Sequence, residues 1–298
     1  MTEKGKYATG AALRTALEDR LKQIVKAEGT ELQRLRRQVA FDRLLARLFH
    51  TADTQWVLKG GYAMELRFRV ARATKDLDFT LRTMPPGGDG ALEHLQEIGQ
   101  RDLNDFFSFR VGTPMKDLDG APYGGSRYPV EARMAQRTFV KFHIDVGVGD
   151  VVVDPVEHIK TRDWLGFAEI PPALVPLIQR EQQFAEKLHA YTLSRTGTTN
   201  SRVRDLADML LLIESGTLDS SVVAEALRRT FDRRGTHPVP IKLELPPPDW
   251  DEPFQRLADE CQLNSSVSAA FAKLSDFFGM VIGSTSAQIR FRGPWNTP

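Results

Sequence analysis

Apolar positions recur with helical spacing over residues 8–27 and 32–49, the second through Leu32, Leu35, Val39, Leu44, Leu45 and Leu48. A short apolar run, Trp56-Val57-Leu58, then leads into Lys59-Gly60-Gly61 and a further helical pattern with Ala63, Met64, Leu66 and Phe68. Asp76-Leu77-Asp78-Phe79 alternates polar and apolar positions, as a half-buried strand does. Pro85-Pro86-Gly87-Gly88 predicts a loop, residues 91–106 an amphipathic helix, and Phe107 to Val111 a strand. Residues 112–125, rich in Gly, Pro and Asp, read as loop. Tyr128 to Met134 and Thr138 to Val148 alternate as two strands joined by a short turn.

Around Pro155 the composition changes, which places a domain junction there and divides the chain into 1–155 and 156–298. Beyond it the pattern is mainly helical, at about 180–193, 202–214, 220–234, 253–263 and 266–282. The stretch from His237 to Pro248 is extended and proline-rich, and no strong pattern follows Ser284.

Chemistry concentrates in residues 56–80. In a strand, residues i and i+2 share a face, so Asp76 and Asp78 stand side by side while Leu77 and Phe79 enter the core. Two carboxylates that close repel unless a cation lies between them. A hard divalent ion such as Mg²⁺, which takes carboxylate oxygens and keeps positions open for phosphate, suits them. Gly60 and Gly61 lack Cβ atoms and sit where a helix begins, so their backbone N–H groups are placed to meet phosphate oxygens. Taken singly, a Gly-Gly is a plain turn and an Asp-x-Asp a solvated strand end. Strand, Gly-Gly, helix and Asp-x-Asp together read as a nucleotide and metal site.

Composition narrows this little. Charged residues are 27%, hydrophobic residues 41% and the formal net charge +1, so any nucleic-acid surface is local rather than global. Arg34, Arg36, Arg37, Arg43 and Arg47 on the second helix form either a phosphate-binding face or a solvated helix paired with Glu31 and Asp42. The single cysteine, Cys261, rules out an intrachain disulfide and a cysteine zinc site, and its helical apolar context predicts burial. With a polar N-terminus and no apolar run approaching the roughly 18 residues of a spanning helix, the chain reads as cytoplasmic, with no membrane partner. Gly-x-Ser-x-Gly and His-Glu-x-x-His are absent, which excludes the corresponding serine hydrolases and metalloproteases.

Lys59-Gly60-Gly61 followed by Arg72-Ala73-Thr74-Lys75-Asp76-Leu77-Asp78-Phe79 resembles the polymerase-β-type nucleotidyltransferase superfamily, and within it the AbiEii-type toxins that include the MenT-like tRNA nucleotidyltransferases. Glu186, Lys187 and Ala190 are similar to that family's third motif. Arg202-Val-Arg-Asp-Leu-Ala-Asp-Met is similar to its fourth, with Arg204 in place of lysine and Met209 in place of leucine. The resemblance covers roughly residues 56–214. It implies an α+β fold: a polymerase-β-type nucleotidyltransferase core, with a small mixed sheet flanked by helices, followed by a mainly helical C-terminal domain.

The resemblance also implies roles. Asp145, on the polar face of the strand 141–148 with Lys141 and His143, is the expected third carboxylate beside Asp76 and Asp78, the three holding one or two Mg²⁺ ions. His143 either assists or is merely hydrogen-bonded beside a carboxylate. Lys59, Gly60, Gly61, Arg72 and Lys187 are expected to bind the NTP. Asp205 orients Lys187 or contacts the nucleotide, unless Arg202, Asp205 and Asp208 form only an intrahelical ladder. The expected acceptor is the 3′ end of tRNA, with a cognate antitoxin as protein partner. Arg228, Arg229, Arg233 and Arg234 join the arginines of residues 34–47 as candidate RNA contacts. Thr74, where the family has serine, is a candidate regulatory phosphosite. A small-molecule or protein acceptor, or a non-catalytic nucleotide- or RNA-binding module, are the alternative readings.

Overall fold

The structure, a computed structural model, describes residues 6–51, 55–83, 90–117, 122–194 and 200–291, with side chains to residue 283. The expected loop at Pro85 to Gly88 and the chain's first five residues lie outside the described residues. Contacts divide the chain into two compact units. The first comprises residues 1–67, 73–150 and 156–177; the second comprises 68–72, 151–155 and 178–298.

In the first unit, α1 (Gly10–Glu28) is bounded by its own chemistry. Thr9 accepts a hydrogen bond from the Ala12 N–H at 3.2 Å, and Gly29 closes the other end at φ 67°. Then follow α2 (Leu32–Leu48), β1 (Trp56–Lys59), α3 (Gly60–Arg67), β2 (Asp76–Leu81), α4 (Gly90–Gln100), β3 (Phe107–Val111), β4 (Lys116–Asp117), β5 (Gly125–Met134), β6 (Arg137–Val148), β7 (Glu157–Lys160) and β8 (Leu174–Leu177). The strands form one mixed sheet in the order β3-β5-β6-β2-β1-β8-β7, with β4 paired to β5. Here β2 runs parallel to β6 and antiparallel to β1. Leu77, Phe79, Phe142, Ile144 and Val146 are buried on one face of this sheet, where Phe41 of α2 meets Tyr62 and Phe142 edge-on. Residues one step away in sequence carry the polar face.

Two expectations need correction. The helix expected to reach residue 106 stops at Gln100. Asp102 accepts from the Asn104 N–H at 2.8 Å, and Asn104 and Phe106 take left-handed backbone angles, which turns Asp105 inward. The expected arginine face on α2 is largely consumed by ion pairs. Arg34 pairs with Glu65 and Arg36 with Glu18. Arg43 and Arg47 are buried, Arg43 against Asp42 and Arg47 against Asp105 at 2.6 Å. Buried arginines are tolerable only when so paired, and these hold α2 to the segment before β3. Of the five, only Arg37 has no side-chain hydrogen bond or ion pair among the described residues.

The hairpin of β7 and β8 adds to the sheet through β8, which lies parallel to β1 with Leu177 beside Leu58. The sheet thus extends past the junction expected at residue 155.

The second unit holds α5 (Arg180–Thr192), α6 (Val203–Glu214), α7 (Ser220–Arg234), α8 (Asp251–Glu260) and α9 (Val267–Phe291). Phe184, Leu188, Leu206, Leu210, Phe231 and Leu274 build its apolar core. Cys261 is buried there as expected, and burial pushes its thiol up to about 12. No helix among the described residues is long and apolar enough to cross a membrane.

Candidate active site

Strand register assembles the site in the first unit. Lys59 of β1 lies opposite Asp78 of β2, Asp78 beside Asp145 of β6, and Asp145 opposite Arg127 of β5. One row across four strands therefore reads cation, carboxylate, carboxylate, cation. Asp76 stands in the next row beside His143, whose Nδ1 is 3.2 Å from Asp76 Oδ1.

The helix α3 begins where β1 ends, and this tight turn depends on glycine. Gly60 has φ 66°, a conformation that side chains rarely adopt, and a Cβ there would fall 2.7 Å from Asp78 Cβ. The Gly61 N–H points to Asp78 Oδ2 at 3.4 Å. Lys59 Nζ donates to Asp150 Oδ2 at 2.6 Å, so Asp150, just past the end of β6, tethers this lysine.

Burial raises the pKa of Asp78 to about 6, and the charges of Asp145 and Asp76 push the same way. Lys59 and the Gly61 N–H oppose them without cancelling them. Asp145 is compensated differently: Arg127 grips it with two hydrogen bonds, at 2.7 and 2.6 Å, and also lies 3.5 Å from Asp76. That bond to Asp145 is the main reason the guanidinium is held above its ordinary value. Arg127 is absent from the sequence reading, which starts the strand at Tyr128. Its signal was the alternation itself, since Arg127, Pro129 and Glu131 continue the polar face one step earlier.

Among the described residues no three carboxylates or imidazoles are drawn together closely enough to hold an ion as they stand. The donor set nevertheless suits a hard divalent cation: three carboxylates on one sheet face, one with its charge poorly compensated.

Arg72, Lys187 and Asp205 gather in the second unit. Lys187 of α5 donates to Asp208 at 2.6 Å and to Asp205 at 3.3 Å, both on α6. Arg72 makes two further bonds to Asp208, at 3.1 and 2.8 Å. Burial pulls the Lys187 ammonium down, but Asp208 and Asp205 outweigh it and hold it above the usual lysine value. Among the more distal arginines, Arg228 pairs with Glu225 and Asp232, and Arg234 with Glu186. Thr74 lies in the first unit, in the segment before β2. Its N–H donates to Glu65 at 2.6 Å, and its hydroxyl lies 3.5 Å from the Asp76 carbonyl.

Comparison with known proteins bears on the fold and the family. The chain is similar in fold to MenT4, a nucleotidyltransferase toxin from Mycobacterium tuberculosis, at 22% identity and a TM-score of 0.52, over 74% of this chain and 75% of that one. A second structure, JHP933 from Helicobacter pylori, aligns at 15% identity and a TM-score of 0.48, over 88% and 97% of the two chains. A comparison with curated proteins gives no match. The family described as nucleotidyl transferase AbiEii toxin, type IV toxin–antitoxin system, matches residues 43–274, which covers the strand row, the glycine turn and the Lys187 cluster alike. The chain belongs to the AbiEii nucleotidyltransferase toxin family.

Proposed function

We propose that this enzyme transfers a nucleoside monophosphate from an NTP to the 3′ acceptor end of tRNA, which then no longer accepts an amino acid, so that translation stops. The observation that carries the reading is the row of Lys59, Asp78, Asp145 and Arg127, with Asp76 one step away. It sets carboxylates for a metal between cations for phosphate. Mg²⁺ held by Asp76, Asp78 and Asp145 would activate the attacking hydroxyl and offset the charge of the departing pyrophosphate.

The chain's own residues do the positioning. Gly60 and Gly61 present backbone N–H groups without side chains in the way, and Lys59 adds a point charge tethered through Asp150. Lys187, Asp205 and Arg72 are assigned to nucleotide binding by the second unit, with Asp208 holding the two cations in place. Positioning and fixed charge, rather than covalent chemistry, carry the rate. The family resemblance supports tRNA as acceptor, the cytoplasm as the place of action, and a cognate antitoxin as partner.

The test is incubation of the protein, and separately its Asp78→Asn variant, with total tRNA, Mg²⁺ and each α-labelled NTP in turn. Label joins tRNA with the natural protein and not with the variant. Label on a small molecule or on protein would replace tRNA as acceptor, and no label anywhere would reject transfer.

Thr74 is assigned as a regulatory site of the same centre. A phosphate there adds about −2 charge two residues from Asp76 and beside buried Glu65, which works against both metal and NTP. Thr74→Glu is expected to abolish labelling of tRNA in that assay, and a fully active variant would remove the assignment.

A further inference from the structure

The polar face of the sheet does not end at the carboxylates. Beyond Asp145 and His143 on β6 comes Lys141, which lies opposite Glu131 of β5, and Glu131 lies opposite Arg110 of β3. These positions project away from Phe142 and Ile144, which are buried on the other face. The result is a cavity of about 750 Å³ that opens beside Asp76 and spreads over β6, β5 and β3, with Arg37 and Lys75 at its margin.

Its charge is one-sided. Five cationic side chains, Arg37, Lys75, Arg110, Arg127 and Lys141, line it against two carboxylates, Asp76 and Glu131. Arg127 is engaged by Asp145. The other four make no side-chain hydrogen bond or ion pair among the described residues, whereas their neighbours on α2 are spent on Glu65, Glu18, Asp42 and Asp105. Arg110 and Lys141 share the single charge of Glu131 between them, so the groove keeps a cationic excess and forms a surface for a polyanion.

We infer that this groove is the acceptor track: Arg110 and Lys141, with Arg37 and Lys75, hold the phosphodiester backbone of the RNA whose 3′ hydroxyl reacts at the carboxylate row. The inference rests on the nucleotidyl-transfer reading above. Topology selects the acceptor over the NTP. In the strand order the glycine turn lies on the β1 side of Asp78, and the groove lies on the opposite side, over β5 and β3. The triphosphate has its cradle at Gly60 and Gly61, so the molecule in the groove is the other substrate. Four residue steps along the strand, about 13 Å, lie between Lys141 and Asp145. The lysine therefore meets phosphates upstream of the reacting end, and these contacts fix the strand without reading its sequence.

The test compares the natural protein with an Arg110→Gln, Lys141→Gln double variant; both side chains are exposed, so the fold should be retained, which a thermal midpoint verifies. The probe is an RNA hairpin with a short single-stranded 3′ tail and a 5′ fluorophore, titrated by anisotropy between about 50 and 200 mM salt. Loss of two phosphate contacts weakens binding roughly 10- to 30-fold near 0.1 M salt and lowers the salt slope by about 1.4, while KM for the NTP stays put. Should the double variant prove unstable, Lys75→Gln, in the loop before β2, provides the same test with one contact. Unchanged RNA affinity and slope in a variant whose parent labels RNA overturns the inference. So does unchanged RNA affinity together with lost capture of the antitoxin, which would make the groove a protein-docking face. If the parent binds the hairpin through these residues yet labels no RNA, the groove stands and the transfer reading falls.

Discussion

Asp78→Asn is expected to stabilise the metal-free protein at neutral pH while removing nucleotidyl transfer. The Asp78 carboxylate is raised to about 6, first by burial and then by Asp145 and Asp76. Its folded value thus lies above the ordinary 3.8, and the folded chain binds its proton more tightly than the unfolded chain does. Stability from this group is fully present below the unfolded value and is lost as pH rises through about 6. The rise from 3.8 to about 6 corresponds to a loss on the order of 2 to 3 kcal/mol at pH 7.5. Asparagine keeps the shape and carries no charge, so the variant escapes that loss. In EDTA its melting temperature should exceed that of the natural protein by about 4 to 8 °C at pH 7.5, and the gap should close near pH 4. Transfer falls by about a thousandfold or more, since a ligand for the charge-neutralising ion is gone. Equal melting temperatures in EDTA at pH 7.5 would show that the site stores no charge strain. Opposite signs for stability and activity are what a functional carboxylate predicts and a structural one does not.

What was legible in the sequence follows from the range of the interactions involved. Alternation along residues 141–148 puts Asp145 on the polar face, and the paired glycines mark the turn from β1 into α3; both are local signals. Pairing is not local. Nothing near Arg47 announces that its partner is Asp105, 58 positions away, so the arginines of α2 read as a possible nucleic-acid face when most are structural. Arg127 escapes notice because its meaning lies in its register with Asp145, which no spacing along one strand reveals. The early stop of α4 depends on left-handed angles at Asn104 and Phe106, neither of them glycine. The hairpin of β7 and β8 is two strands of four residues each, too short to show a period. In the turn between β5 and β6, Ala135 and Gln136 both take positive φ without a glycine to signal it.

Asp208→Asn is expected to destabilise the protein by about 3 to 5 kcal/mol, because it leaves two cations without the charge that offsets them. Asp208 is fully buried and accepts from Lys187 at 2.6 Å and from Arg72 twice. Burial pushes its carboxyl up, yet Lys187 and Arg72 outweigh this and hold it below the ordinary value. The stability it contributes is therefore present above the unfolded value of 3.8 and is lost only as pH falls through the lower folded one. Urea unfolding followed by circular dichroism should show the full deficit at pH 7, with the gap to the natural protein beginning to narrow only below the unfolded value of 3.8. A deficit under about 1 kcal/mol at pH 7 would mean that Asp205, 3.3 Å from Lys187, suffices alone. The informative companion replaces the whole cluster with apolar residues, Lys187→Met, Arg72→Met and Asp208→Leu. Buried ion clusters exchanged in full for apolar side chains of similar volume lose little stability and often gain it. Recovery of stability with transfer still absent would separate the two roles, since a cluster kept only for packing has no need of three charges. Under the proposed mechanism the apolar version folds and does not react, and Asp208, with Asp205, holds the Lys187 ammonium up against the burial that pulls it down.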